Sequence, residues 1–168
     1  MANSLLFNGP KRATLTFALA HGAGAPMDHA FMNHIAEGIA EAGFRVARFE
    51  FPYMQKRRAD GRKRPPDREP VLRDSFERVA AALGSGTLVI GGKSMGGRIA
   101  SMMADTLKVR GLICLGYPFH APGKPDELRT DHLKAIRTPT LILQGSRDPF
   151  GTVAEIPGYG LSKKVRVH

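Results

Sequence analysis

The sequence predicts a single α/β domain over residues 1–168, built on a mainly parallel sheet with helices on both faces. Three observations predict it. Short apolar runs alternate with segments of helical periodicity along the whole chain, the pattern of strand–helix–strand units joined by right-handed crossovers. No repeat, low-complexity tract or linker divides the 168 residues, and 42% of them are hydrophobic, enough to bury one core. A glycine-rich stretch, "GGKSMGG" (Gly91 to Gly97), also falls where an apolar run passes straight into a helical segment. In parallel sheets the carboxyl ends of strands are where chemistry gathers.

The elements follow in order. "TLTFALA" (Thr14 to Ala20) is a short β-friendly run and predicts a buried strand. Asp28 is a plausible N-cap for a helix whose Phe31, Ile35 and Ile39 recur every four residues, with Gly43 suited to its stop. "FRVARFE" (Phe44 to Glu50) predicts a second strand, and Leu72, Phe76, Val79 and Leu83 mark one helical face ending at Gly84. "TLVIG" then supplies a third strand that enters the glycine-rich turn. Beyond the turn, Ile99, Met102, Met103 and Leu107 share a helical face, the methionines serving as core filler. "GLICLG", the short helix "DHLKAI", "TLILQG" and a last strand in "KKVRVH" complete the alternation.

Composition narrows the function classes. No apolar run approaches the roughly 20 residues that cross a membrane. "KRATLTFALAHGAGA" mimics a secretory leader, but its Thr-interrupted run serves better as a core strand. The single cysteine, Cys114, permits no internal disulfide, which suits the cytoplasm. The formal charge of +10 raises the question of nucleic acid. Much of it is local to Gln55 to Pro70, "QKRRADGRKRPPDREP", which lacks interleaved aromatics and follows no helical spacing that would seat a recognition helix. The segment is expected to be a solvated or substrate-adjacent loop, not a nucleic-acid site.

"GGKSMGG" admits two opposed chemistries. A phosphate-binding P-loop, G-x-x-x-x-G-K-[ST], requires glycine at position 87, where the chain has Thr87, and the intervening "TLVI" is strand. The nucleophile elbow, G-x-S-x-G, requires a hydrophobic strand, a tight turn with a strained serine, and an immediate helix; all three are present around Ser94. Gly92 and Gly96 are expected to leave room in the turn and Gly97 to ease helix packing against the strand. Ser94 is therefore the candidate nucleophile. The helix start beneath it directs N–H groups and positive dipole at a developing oxyanion.

Other candidates fall in chain order. After the first strand, "AHGAG" can bring the N–H of Ala23 beside that of Met95 to form an oxyanion hole, with His21 a structural loop residue. After "TLILQG", "SRDPFG" places Asp148 at a strand's carboxyl end, as a triad acid or as a turn-forming Asp before Pro149.

These segments, with "LAHGAGAPMD", "FEFPYM", "GGKSMGGRIAS", "GYPFHAPGKP" and "TPTLILQGSRDPFG", resemble the small α/β-hydrolase family of bacterial dienelactone-hydrolase-like proteins related to testis-expressed protein 30. The resemblance runs over nearly the whole chain. It implies a lidless α/β-hydrolase three-layer sandwich with Ser94 as nucleophile, Asp148 as acid and no metal or organic cofactor. It also makes the basic loop a family trait. The family in turn resembles part of a chromatin acetyltransferase complex subunit not known chiefly as an enzyme, so fold alone does not settle function. Dienelactone hydrolases use a cysteine nucleophile, whereas this position is Ser94.

The resemblance further implies a histidine loop and a closing helix after "KKVRVH", so the chain is expected to be truncated at its C-terminus. Only His168 follows Asp148 in the Ser, Asp, His order, and it ends a strand instead of occupying a loop beyond it. His120 either lines the pocket or shapes its turn; His29, His34 and His132 fall in or beside helices as surface or packing residues. The leading expectation is a serine hydrolase of esterase type for a small acyl ester or related carbonyl compound, catalytically incomplete at 168 residues. A non-catalytic binding module is the alternative, and a basic nucleic-acid-associated protein a weaker third. A partly bare sheet face is expected to favour a homodimer.

Overall fold

The computed structural model describes residues 4–168. Its sheet has seven strands: β1 (Leu6–Asn8), β2 (Thr16–Ala20), β3 (Arg45–Phe49), β4 (Leu88–Lys93), β5 (Gly111–Leu115), β6 (Thr140–Leu143) and β7 (Val165–Val167). They lie in the order β1-β3-β2-β4-β5-β6-β7. All neighbours are parallel except the β1–β3 pair. The helices are α1 (Ala30–Glu41), α2 (Pro52–Asp60), α3 (Glu69–Leu83), α4 (Met95–Leu107) and α5 (Asp131–Ala135).

Strand alternation sorts the core into two layers. On one face Ala18, Ala20, Leu88, Ile90, Leu112, Cys114 and Ile142 meet Phe76 and Val79 of α3, Ile99 and Met103 of α4, and Leu133 of α5. On the other, Leu19 and Val46 meet Met32 and Ala36 of α1. The second face is covered unevenly: Ile113 is half-buried and Leu141 is 38% exposed, so part of the sheet toward β6 is open.

The sequence expectations differ from the structure at three places. The basic segment is helical in its first part: α2 begins with Pro52, which needs no N–H at a helix start, and stops at Gly61 (φ 71°). Its buried residues, Tyr53 and Met54, precede the charges that dominate the segment. The cap of α1 is His29, whose Nδ1 accepts from the Phe31 N–H at 3.3 Å, while Asp28 instead pairs with Arg58. The stripe of α1 is also rotated. Met32 and Ala36 are buried, whereas Phe31 is 39% exposed.

Candidate active site

Ser94 joins β4 to α4 with φ 48° and ψ −113°, a left-sided conformation that costs an L-residue free energy. The surrounding glycines are explained by neighbouring strands more than by the turn itself. A Cβ on Gly92 would lie 2.2 Å from Ala20 O, and one on Gly96 would lie 2.6 Å from His21 O. A Cβ on Gly97 would meet Gly92 O at 2.7 Å, so the helix is pressed against the strand that feeds it. These contacts draw the N-terminus of α4 onto the end of β2, where the loop carrying Ala23 begins.

That loop is tied down from α2 and the end of β3. His21 is fully buried; its Nδ1–H donates to Gly22 O at 2.7 Å and its Nε2 accepts from the Phe51 N–H at 3.2 Å. Both partners fit the neutral ring, and burial lowers its pKa. The Tyr53 hydroxyl donates to Ala23 O at 2.9 Å, and burial pushes its pKa up to about 12. Arg57 donates to Gly24 O at 3.1 Å. Arg58 bridges Asp28 at 2.9 Å and the buried Glu50 at 2.6 Å. Part of the basic segment is thus spent holding the candidate oxyanion loop. Met95, first residue of α4, has an N–H with no intrahelical acceptor.

Two outcomes follow for this network. Arg58→Met removes the cationic partner of the Glu50 carboxylate, which is 3% exposed and also accepts from the Met27 N–H at 3.3 Å, and should cost about 1 to 3 kcal/mol in urea unfolding, more than Tyr53→Phe at about 1 kcal/mol. Because the folded pKa of His21 lies below its ordinary 6.5, its contribution to stability is complete above pH 6.5 and is lost as pH falls through the folded value. The buried flank of His132 shifts its pKa in the same direction and adds to the slope. Stability measured from pH 7 to 5 should therefore fall, and His21→Asn should flatten part of that fall.

Asp148 follows β6 in a turn: its Oδ1 accepts from the Phe150 N–H at 2.9 Å, and its own N–H donates to Gly145 O at 3.0 Å. Among the described residues Oδ2 accepts no hydrogen bond, and it faces Gly116, where a Cβ would stand 3.4 Å away. The turn-former and the candidate acid are here the same side chain. Ser94 and Asp148 line one cavity of about 370 Å³, together with Lys93, Leu115, Gly116 and Phe150.

No described histidine is hydrogen-bonded to Ser94. His120 is buried; its Nδ1 lies 2.8 Å from Ala121 O and its Nε2 3.2 Å from Glu155 Oε1, so it shapes a loop. His132 Nε2 lies 2.7 Å from Ser101 Oγ within the α4–α5 packing, away from the elbow. His168 continues the β7 ladder, its N–H donating to Ile142 O at 2.9 Å and its carbonyl accepting from the Gln144 N–H at 2.8 Å. Its side of the strand borders a second cavity, about 470 Å³, that shares Lys93, Leu115, Gly116 and Gly145 with the first. Cys114 is fully buried under Gly97 and burial pushes its thiol pKa up, which removes it as a nucleophile at neutral pH.

Sequence reasoning missed Tyr53, Arg57 and Lys93. The first two sit in a helix hidden among charges. Lys93 had a usable signal: it ends a strand immediately before the candidate nucleophile and alternates with Gly91.

The fold is shared with known proteins. The chain is similar to a serine hydrolase homologue from Coxiella burnetii, at 20% identity over 98% of this chain and 80% of that one, with a TM-score of 0.71. It is similar to a lidless α/β serine hydrolase from Xanthomonas campestris, at 18% identity over 98% and 76%, TM-score 0.73. Est1E from Butyrivibrio proteoclasticus, solved with ferulic acid bound, matches at 15% identity over 99% and 84%, TM-score 0.74. At these identities the likeness is one of fold. The family model described as an alpha/beta hydrolase domain matches residues 13–168, and the chain therefore belongs to the alpha/beta hydrolase domain family.

Proposed function

We propose that the protein is a serine hydrolase of esterase type, acting on a small acyl ester or related carbonyl compound, within the dienelactone-hydrolase-like branch its motifs resemble. The observation that carries this reading is the φ of 48° at Ser94 in a turn whose cavity also takes in Asp148. Ser94 Oγ attacks the carbonyl; the N–H groups of Ala23 and Met95 receive the oxyanion; Asp148 orients the protonated base. The base itself is the missing member, since no described histidine is bonded to Ser94, so the 168-residue chain is proposed to be catalytically incomplete.

The same absence favours a second reading, a binding module on a hydrolase scaffold. Prolonged treatment with a fluorophosphonate separates the two. Under the hydrolase reading a slow adduct forms on the tryptic peptide from Ser94 to Arg98 and disappears in Ser94→Ala. A peptide that stays unmodified favours the binding module.

One narrower proposal accompanies this one. The open sheet face around Ile113 and Leu141 supports a homodimer, for which sedimentation equilibrium should give twice the 18.2 kDa chain mass, and a monomer at all concentrations would refute it. Nucleic acid is not proposed as a partner, because Arg57, Arg58 and Arg64 of the basic segment are engaged by Gly24, Glu50, Asp28 and Asp60.

A further inference from the structure

We propose that Lys93 determines the specificity of the Ser94 site, and that the ester this site takes carries a carboxylate at the far end of its acyl chain. The proposal rests on the hydrolase reading above and extends it to a substrate class.

Lys93 ends β4, and strand alternation places it with Val89 and Gly91 on the face that carries α1. Its stem runs past Gly22, where a Cβ would stand 3.8 Å from Lys93 Cγ and 3.9 Å from Cδ. The ammonium lies 5.4 Å from the centre of the Phe31 ring, held over an aromatic face by cation–π attraction. Among the described residues it has no carboxylate and no hydrogen-bond partner. The neighbouring cations differ: Arg57 donates to Gly24 O, and Arg58 is shared by Asp28 and Glu50. Lys93 is thus a half-buried cation whose partner is not supplied by the surrounding residues.

Its position says what that partner must be attached to. Lys93 is in the wall of both the cavity holding Ser94 and Asp148 and the adjoining cavity of about 470 Å³. The second cavity is otherwise walled largely by Phe31, Ile35, Leu115 and Leu143, with Gln144 and His168 at its polar side. Asp148 is the single side-chain carboxylate among the described residues lining either space. A carbonyl at Ser94 with an apolar chain leading past Lys93 matches this sequence of surfaces. A carboxylate on that chain gives the ammonium a charge-assisted hydrogen bond that a neutral chain does not.

The test is equilibrium binding, so that it does not depend on turnover. Monomethyl glutarate and methyl pentanoate share an ester and a chain length and differ in the terminal carboxylate. Each is titrated by ¹H–¹⁵N NMR into wild-type protein, Lys93→Met, Lys93→Arg and Ser94→Ala, following the amides of Gly116 and Gly145. The expected result is a roughly five- to tenfold tighter dissociation constant for the hemi-ester in wild type, as for a partly screened ion pair. The preference should vanish in Lys93→Met, persist in Lys93→Arg and be unchanged in Ser94→Ala. Equal affinities in wild type, a preference surviving Lys93→Met, or no binding of either ester at millimolar concentration would overturn the proposal. Failure of the hydrolase reading instead shows as a Ser94 that stays unlabelled by fluorophosphonate while the hemi-ester preference persists.

Discussion

The 168-residue polypeptide is expected to hydrolyse p-nitrophenyl acetate barely above the uncatalysed rate, and Ser94→Ala is expected to change that rate little. A neutral serine hydroxyl is a weak nucleophile, and its activation requires a base within hydrogen-bond reach. Three buried or half-buried histidines are otherwise engaged. His21 is locked as a neutral ring between Gly22 and Phe51, His120 faces Ala121 and Glu155, and His132 contacts Ser101. Loss of one triad member in serine hydrolases costs on the order of 10⁴ to 10⁶ in turnover, leaving what the oxyanion donors and binding supply. His168 is the residue that could reverse this expectation, because its strand borders the cavity adjoining Ser94. If the polypeptide is already fast and both Ser94→Ala and His168→Ala abolish that rate, His168 is the base.

The second large effect is structural. Gly92→Ala is expected to destabilise the fold by about 4 kcal/mol or more, beyond the usual range of single substitutions. The added Cβ would stand 2.2 Å from Ala20 O, 2.9 Å from its carbonyl carbon and 3.0 Å from its nitrogen. Those are backbone atoms of β2, paired in register with Gly92, so relief requires moving two central strands apart. Gly91→Ala meets a comparable obstacle in Ile113 O at 2.0 Å on the other side. Gly86→Ala is the control, since nothing lies within 4 Å of its Cβ position. At roughly 2 to 4 °C per kcal/mol for a domain of this size, the thermal midpoint of Gly92→Ala should fall by about 10 °C or more while Gly86→Ala stays near wild type.

The contrast between these glycines shows why some of the structure was legible in the sequence. Strand, turn and helix are contiguous around Ser94, so the local residues carry the whole instruction, and its positive φ was readable from spacing alone. What Gly92 and Gly96 avoid was not readable, because the obstacles are Ala20 and His21, more than seventy residues away and adjacent only after the sheet forms. The stripe of α1 was visible as a period of four, yet its centre lies on Met32 and Ala36, because periodicity does not say how a helix is rolled on its sheet. Short β1 escaped notice: at three residues it has no periodicity to detect, and as an edge strand it leaves Phe7 42% exposed. Helix α2 was obscured by its own charges, although Pro52 at one end and Gly61 at the other mark its limits. Asp148 was found at the end of β6 by chain order. Lys93 was passed over once the phosphate-binding reading of Gly92-Lys93-Ser94 failed, although its place before the candidate nucleophile gave it a second meaning.

That Ser94 is a nucleophile wanting a base is tested most directly by supplying one. Imidazole at increasing concentration should raise the rate of p-nitrophenyl acetate hydrolysis by the wild-type protein above that of Ser94→Ala, after subtraction of the protein-free reaction, with a slope that falls below pH 7 as imidazole protonates. Identical slopes for wild type and Ser94→Ala across that titration, with both proteins folded by circular dichroism, would contradict it.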